Sequence, residues 1–227
     1  MIQIEGLVRS YQKEASEVQA LRGIDLSIPR GAFVSLVGRS GSGKSTLLQL
    51  VGGLDRPTAG HIWIETDSRV DLAALSEDNL ALYRRAHVGF VFQSFHLIPT
   101  LTVLENVILP LVPHNMPAVE KTQRAIEWIE RVELSDRRDH LPSELSGGQQ
   151  QRVAVARALV GNPSLILADE PTGELDSKTA ENIIGLLIDL SREGRTLVLA
   201  THDSSLAERA SLVVHIEDGL VADKEQR

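Results

Sequence analysis

Residues Gly38-Arg39-Ser40-Gly41-Ser42-Gly43-Lys44-Ser45 fit the pattern G-x-x-x-x-G-K-[S/T], and nothing else in the chain limits its fold as much. Such a loop works only between a strand and a helix. The apolar run 33–37 reads as the strand and 45–51 as the helix, which Gly52 and Gly53 stop. Glycines at 38, 41 and 43 let backbone N–H groups close around an anion without interference from a Cβ. Lys44 can bring a mobile positive charge to β- and γ-phosphate oxygens, and Ser45 a hydroxyl to Mg2+.

About a hundred residues later stands Leu145-Ser146-Gly147-Gly148-Gln149. It places a glycine pair at the opening of a helix over 146–160, a second phosphate-facing device. One chain rarely needs two. Their joint presence points to a nucleotide held between two copies, each supplying a different loop.

The rest of the chain alternates. Runs 2–8 and 20–28 read as strands before the loop, and 61–64 as a strand after it. Residues 76–85 read as a helix with a basic end, and 87–92 as a strand that stops at Gln93. Residues 102–109 and 118–133 carry apolar positions at threes and fours, which marks helices. The all-helical stretch 94–145 is expected to be a sub-lobe of a single domain, 1–227. Strand 164–168, helix 177–193, strand 195–200, short helix 206–210 and strand 212–216 then indicate a mainly parallel α/β core.

Composition excludes several classes. The net charge of −8 offers no basic excess for a nucleic-acid partner. The absence of cysteine removes disulfides and thiolate metal sites. The first residues lack the pattern of a secretory signal, and no apolar run approaches the roughly 18–20 residues that span a bilayer. The expectation is a cytoplasmic chain whose membrane role comes through a partner.

Further candidates sit at strand ends. Asp169-Glu170 closes an apolar strand, where the Asp can hold Mg2+ and the Glu can polarise an attacking water. Gln93 could reach the metal or its water, His202 follows another strand, and Tyr11 could stack on an adenine ring.

Taken in order and spacing, these residues resemble the ATP-binding-cassette (ABC) ATPases along essentially the whole chain. The loop with Lys44 is similar to Walker A, Gln93 to the Q-loop, 145–149 to the signature and 165–169 to Walker B. Glu170 resembles the catalytic glutamate, Leu175-Asp176 the D-loop and His202 the switch histidine. The resemblance implies an α/β P-loop NTPase cassette with a mainly parallel core, an N-terminal antiparallel β region and a helical sub-lobe. It implies catalysis by Glu170, His202 and Lys44. It implies ATP contacts from Tyr11, Gly38, Arg39, Ser40, Gly41, Ser42, Gly43, Lys44, Ser45, Thr46, Gln93, Ser146, Gly147, Gly148 and Gln149. Ser45, Gln93 and Asp169 would serve Mg2+.

The family pairs cassettes head to tail with ATP at the interface. Because this chain ends soon after its last strand, a separate membrane permease is expected as partner, with the cassette peripheral on the inner face of the membrane. The phrases at 20–23, 52–58, 88–95 and 168–173 resemble the subgroup of bacterial lipoprotein-releasing, macrolide-exporting and cell-division ATPases. That implies export or mechanical coupling, with control of a cell-division partner as the alternative. Glu174 departs from the Asn usual in that subgroup. Phe95, Leu97, Ile98, Leu101 and Val103 are candidates either for the permease contact or for core packing.

Overall fold

The computed structural model describes residues 1–13, 16–65, 69–173 and 175–226. Its centre is β3 (Phe33–Val37), β7 (Leu165–Asp169) and β8 (Thr196–Thr201). Each is a nearly unbroken apolar run, as expected of strands covered on both faces. The six-stranded sheet runs in the order β10-β9-β3-β8-β7-β6. Here β6 is Val88–Val91, β9 is Leu212–Glu217 and β10 is Leu220–Gln226. All neighbours pair in parallel except β10, which returns antiparallel along β9.

Alternation along these strands divides the interior into two cores. Phe33, Ile166, Ala168, Leu197 and Leu199 face one side, where they meet α3 (Val103–Ile108), α4 (Ala118–Arg131), α5 (Gly147–Leu159) and α6 (Ser177–Arg192). Val34, Leu36, Leu165, Leu167, Val198 and Ala200 face the other, against α1 (Lys44–Val51). A second sheet covers that side in the order β2-β1-β4-β5, all antiparallel. Its strands are β1 (Ile2–Lys13), β2 (Ser16–Ile28), β4 (Ala59–Glu65) and β5 (Arg69–Asp71). Truncating a fully buried residue such as Leu167 to alanine would cost about 2–5 kcal/mol.

Several boundaries differ from the sequence expectation. The first two strands are longer than 2–8 and 20–28, and pair out to Lys13 and Ser16 as one hairpin. His87 belongs to α2 (Glu77–His87), not to the following strand. The short helix after β8 is α7 (Ser204–Ala207), earlier than 206–210. Strands β5 and β10 were not expected. Within 94–145, Val103, Val107, Leu111, Trp128 and Ile129 join the same core as α5, so the stretch packs directly on the sheet's helical layer.

This topology positions the site. β3, β6, β7, β8 and β9 are parallel, so their carboxyl ends share one edge, where ligands of open α/β sheets gather. Register aligns Val37 with Thr201, Asp169 with Ala200 and Val91 with Ala168. The glycine-rich loop, Gln93, Asp169-Glu170 and His202 all emerge there.

Candidate active site

The loop after β3 turns tightly into α1. Gly43 caps that helix at φ 111°. A Cβ there would also lie 2.7 Å from the Ala20 carbonyl oxygen, so both conformation and space require glycine. Lys44 is 5% exposed, and its ammonium donates to the carbonyls of Gly38 (2.8 Å) and Arg39 (3.0 Å). The charge is thereby held under the loop's crest, where Arg39, Ser40 and Gly41 are exposed. Ser42 is buried, and its Oγ has no partner among the described residues. Ser45 and Thr46 follow in the first turn of α1, whose positive dipole end faces the loop.

Ser45 Oγ donates to Asp169 Oδ1 at 3.0 Å, joining the first turn of α1 to the end of β7. Burial raises the Asp169 pKa above its ordinary value, against the Ser45 hydrogen bond; nearby Glu170 raises it further and Lys44 opposes. A hydroxyl and a carboxylate side by side fit Mg2+, which keeps several waters and takes the rest of its shell from phosphate oxygens. Among the described residues no group of three or more His, Cys, Asp or Glu could hold a metal by itself.

Glu170 adopts φ 43°, a left-handed conformation that non-glycine residues rarely take. Its N–H donates to the Ala200 carbonyl (3.0 Å), extending the β7–β8 ladder by one bond. The side chain is thereby aimed across the sheet edge at His202, whose Nδ1 lies 3.3 Å from Glu170 Oε2. The turn carrying His202 is shaped by Thr201, whose Oγ1 accepts from the Asp203 N–H (3.0 Å). A Cβ on Gly173 would lie 3.6 Å from Gln93 Nε2 and 3.8 Å from Glu170 Oε2, so Gln93 stands on the Glu170 side of the site. Glu170, Gly173, Leu175 and His202 line a cleft of about 370 Å3. Glu174 lies outside the described residues.

The signature segment opens α5 with a complete capping box. Ser146 N–H donates to Gln149 Oε1 (2.9 Å), and Gln149 N–H donates to Ser146 Oγ (3.4 Å). The Gln149 side chain is therefore occupied within its own turn. The N–H groups of Gly147 and Gly148 keep the free first-turn positions. Ser146 and Gly147 are exposed, and Gly148 packs near Thr179 of α6. No hydrogen bond among the described residues joins this turn to the loop of Lys44.

Tyr11 is placed differently from a free stacking platform. Its hydroxyl donates to Asp55 Oδ2 (2.8 Å), and the Arg9 guanidinium lies 4.5 Å from its ring centroid. Arg9 also pairs bidentately with Asp55. One ring face is thus covered. Val103 is 1% exposed and belongs to the core; of the other apolar candidates Ile98 is exposed, and Phe95, Leu97 and Leu101 are half-buried.

Sequence reasoning missed three polar residues. Asn106 is fully buried and ties down 98–102: it accepts from the Ile98 N–H and donates to the carbonyls of Ile98, Leu101 and Thr102. Arg157 donates to the carbonyls of Phe95 (2.7 Å) and His96 (2.6 Å). Gln151, 1% exposed, reaches the carbonyls of Phe92 and Pro171. A polar residue inside a helical pattern gives no signal of what it touches.

The fold and this edge define a P-loop nucleotide hydrolase with an added signature helix. The ABC transporter family model matches residues 21–173, and the chain belongs to that family as an ATP-binding, ATP-hydrolysing subunit. It is 46% identical over 225 residues to the uncharacterized ABC transporter ATP-binding protein YvrO of Bacillus subtilis, covering 99% of this chain and 97% of the relative. It is also 46% identical over 221 residues to the macrolide export ATP-binding/permease protein MacB of Bartonella henselae, covering 97% of this chain and 33% of that protein. The solved dimeric structure of the ABC transporter cassette MJ0796, a protein of Methanocaldococcus jannaschii, superposes with a TM-score of 0.93 at 45% identity, covering 100% of this chain and 98% of that one. A second MJ0796 structure, similar to the same degree (TM-score 0.93, 44% identity, 100% and 98% covered), is a post-hydrolysis dimer bound to ADP and phosphate.

Proposed function

We propose that the cassette hydrolyses Mg2+-ATP at an interface between two head-to-tail copies and so drives a membrane permease of export or mechanical-coupling type. The observation that carries this reading is the convergence at one sheet edge of Lys44, the Ser45–Asp169 pair and the Glu170–His202 pair. Lys44 and the loop N–H groups would hold the β- and γ-phosphates. Ser45 and Asp169 would hold Mg2+, with Gln93 at its periphery. Glu170 would accept a proton from the attacking water, and His202 would fix the water and the γ-phosphate against it.

Within one copy, no hydrogen bond among the described residues joins the first turn of α5 to the loop of Lys44. In a two-fold dimer that turn would face the γ-phosphate on the partner's loop, with Gly147 and Gly148 N–H groups donating. Tyr11 would stack on the adenine with its open face. The dimeric MJ0796 cassette supports this pairing, and MacB, which carries its permease in the same chain, supports transport over control of a division partner. No described helix is long and apolar enough to cross a membrane. Attachment at the inner membrane face would therefore come through the permease.

Glu170→Gln tests the reading. Turnover should fall about 10²- to 10⁴-fold, with nucleotide binding kept and an ATP-bound dimer accumulating on size-exclusion chromatography. Wild-type turnover in that variant would overturn the assignment of Glu170.

A further inference from the structure

Two backbone carbonyls share one donor: that of Phe92, immediately before Gln93, and that of Pro171, immediately after Glu170. Carbonyls repel unless a donor lies between them. The side-chain amide of Gln151 supplies both hydrogens, with Nε2 2.8 Å from the Pro171 oxygen and 3.3 Å from the Phe92 oxygen. Because both partners only accept, the amide nitrogen must point this way. Its Oε1 is buried with no partner among the described residues, so these two bonds are what orient the side chain.

Gln151 sits on α5, five residues beyond Ser146. The left-handed backbone at Glu170 is not its own low-energy choice, and something must hold the loop that follows. The N–H of Glu170 anchors it from the β8 side, and Gln151 anchors Pro171 from the helical side.

We propose that Gln151 is a positioning residue for hydrolysis, acting through the Glu170–Pro171 segment, and that it links the signature turn to its own copy's catalytic carboxylate. This rests on the catalytic reading of Glu170. It assigns no contact between Gln151 and nucleotide. A shift of α5 when Ser146–Gly148 engage the partner's phosphate would reach Glu170 through this amide.

Gln151→Met keeps the length and bulk of the side chain and removes both donors. Gln151→Asn keeps the amide but is a methylene shorter, so it reaches one carbonyl at most. The expected result is a kcat loss of about 10- to 100-fold for Gln151→Met and a smaller one for Gln151→Asn, consistent with a small misplacement of a reacting group. ATP affinity should stay within about 3-fold of wild type in both. The deciding measurement is the double variant. If Gln151 acts through Glu170, adding Gln151→Met to Glu170→Gln should change the residual single-turnover rate by less than about 2-fold.

Wild-type kcat in Gln151→Met, an equal fractional loss in both backgrounds, or ATP affinity falling in step with kcat would each overturn the proposal. Failure of the Glu170 assignment is read separately, from Glu170→Gln alone. If Gln151→Met does not fold, Gln151→Asn is carried through the same cycle.

Discussion

Ser146 caps the helix that we place against the partner's phosphate, so capping and anion recognition can be separated by substitution. The cap bond from the Gln149 N–H to Ser146 Oγ is long, at 3.4 Å, while the return bond to Gln149 Oε1 is 2.9 Å. Replacing an N-cap serine with alanine costs about 0.5–2 kcal/mol, and the long bond places Ser146→Ala at the lower end, about 0.5–1 kcal/mol. At about 2–4 °C per kcal/mol for a chain of this size, the melting temperature should fall by about 1–4 °C.

Ser146→Asp restores a good cap and should melt within about 2 °C of wild type, yet it sets a carboxylate where the phosphate approaches. At a separation of about 5 Å and an effective dielectric of about 20, one pair of unit charges costs about 3 kcal/mol. Two symmetric sites make about 6 kcal/mol, or about 10⁴-fold in the dimerisation constant. The assay is analytical ultracentrifugation with ATP in the Glu170→Gln background, with the loss easing as salt is raised. A Ser146→Asp protein that dimerises on ATP like its parent would refute the placement of this turn against an anion.

Asp169→Asn should raise the melting temperature of the nucleotide-free protein at neutral pH while abolishing Mg2+-dependent hydrolysis. The sign follows from the raised pKa: ionised Asp169 penalises the folded state above its ordinary value of 3.8, and the advantage of the variant should shrink as pH is lowered toward 3.8 in pH-dependent melting. Asn106→Ala removes one accepted and three donated hydrogen bonds from a fully buried site; two amide hydrogens shared over three carbonyls make the loss about 3–5 kcal/mol, readable by urea denaturation. Gly38→Ala would drive a Cβ into the Ile216 carbonyl oxygen of β9 and within 2.7 Å of Ser42 Oγ, so ATP affinity measured by calorimetry should drop at least about 10²-fold. Unchanged affinity would mean that the loop can move away from β9.

The parallel core was legible because burial on both faces demands long apolar runs, and 33–37 and 164–168 are such runs. The strand-end acids and His202 were legible for a related reason, since a polar residue ending such a run must emerge at the edge. β10 was not legible: Ala222-Asp223-Lys224-Glu225-Gln226 is polar and exposed, and its strand form comes from pairing with β9 at the sheet margin. His87 was assigned to a strand because the following residues are apolar, yet it sits in a helix already carrying Arg84 and Arg85 in its last turn. Tyr11 was visible as an aromatic, but its bond to Asp55 joins residues 44 positions apart. Gln149 is expected among the nucleotide contacts; the bond its amide oxygen accepts from the Ser146 N–H is a local pairing that the sequence does not show.

The polar contacts that pattern could not show concentrate on α5. In 13 residues, about 20 Å, it carries an exposed capped turn, then Gln151, then Arg157. Arg157 is buried enough that its pKa is lowered, and it donates to the carbonyls of Phe95 and of His96, whose φ is 48°. Charge-assisted bonds to both carbonyls hold a backbone turn that would otherwise relax. Gln151 does the same for the turn at Pro171 with a neutral donor. The helix thus grips loops at two points, the Phe92 and Pro171 carbonyls through Gln151 and the 95–96 turn through Arg157. On the proposed role of Gln151, a displacement of the 95–96 segment would load Pro171 beside Glu170 through α5. That gives a physical route between the segment after Gln93 and hydrolysis, and the Gln151→Met cycle measures its middle step.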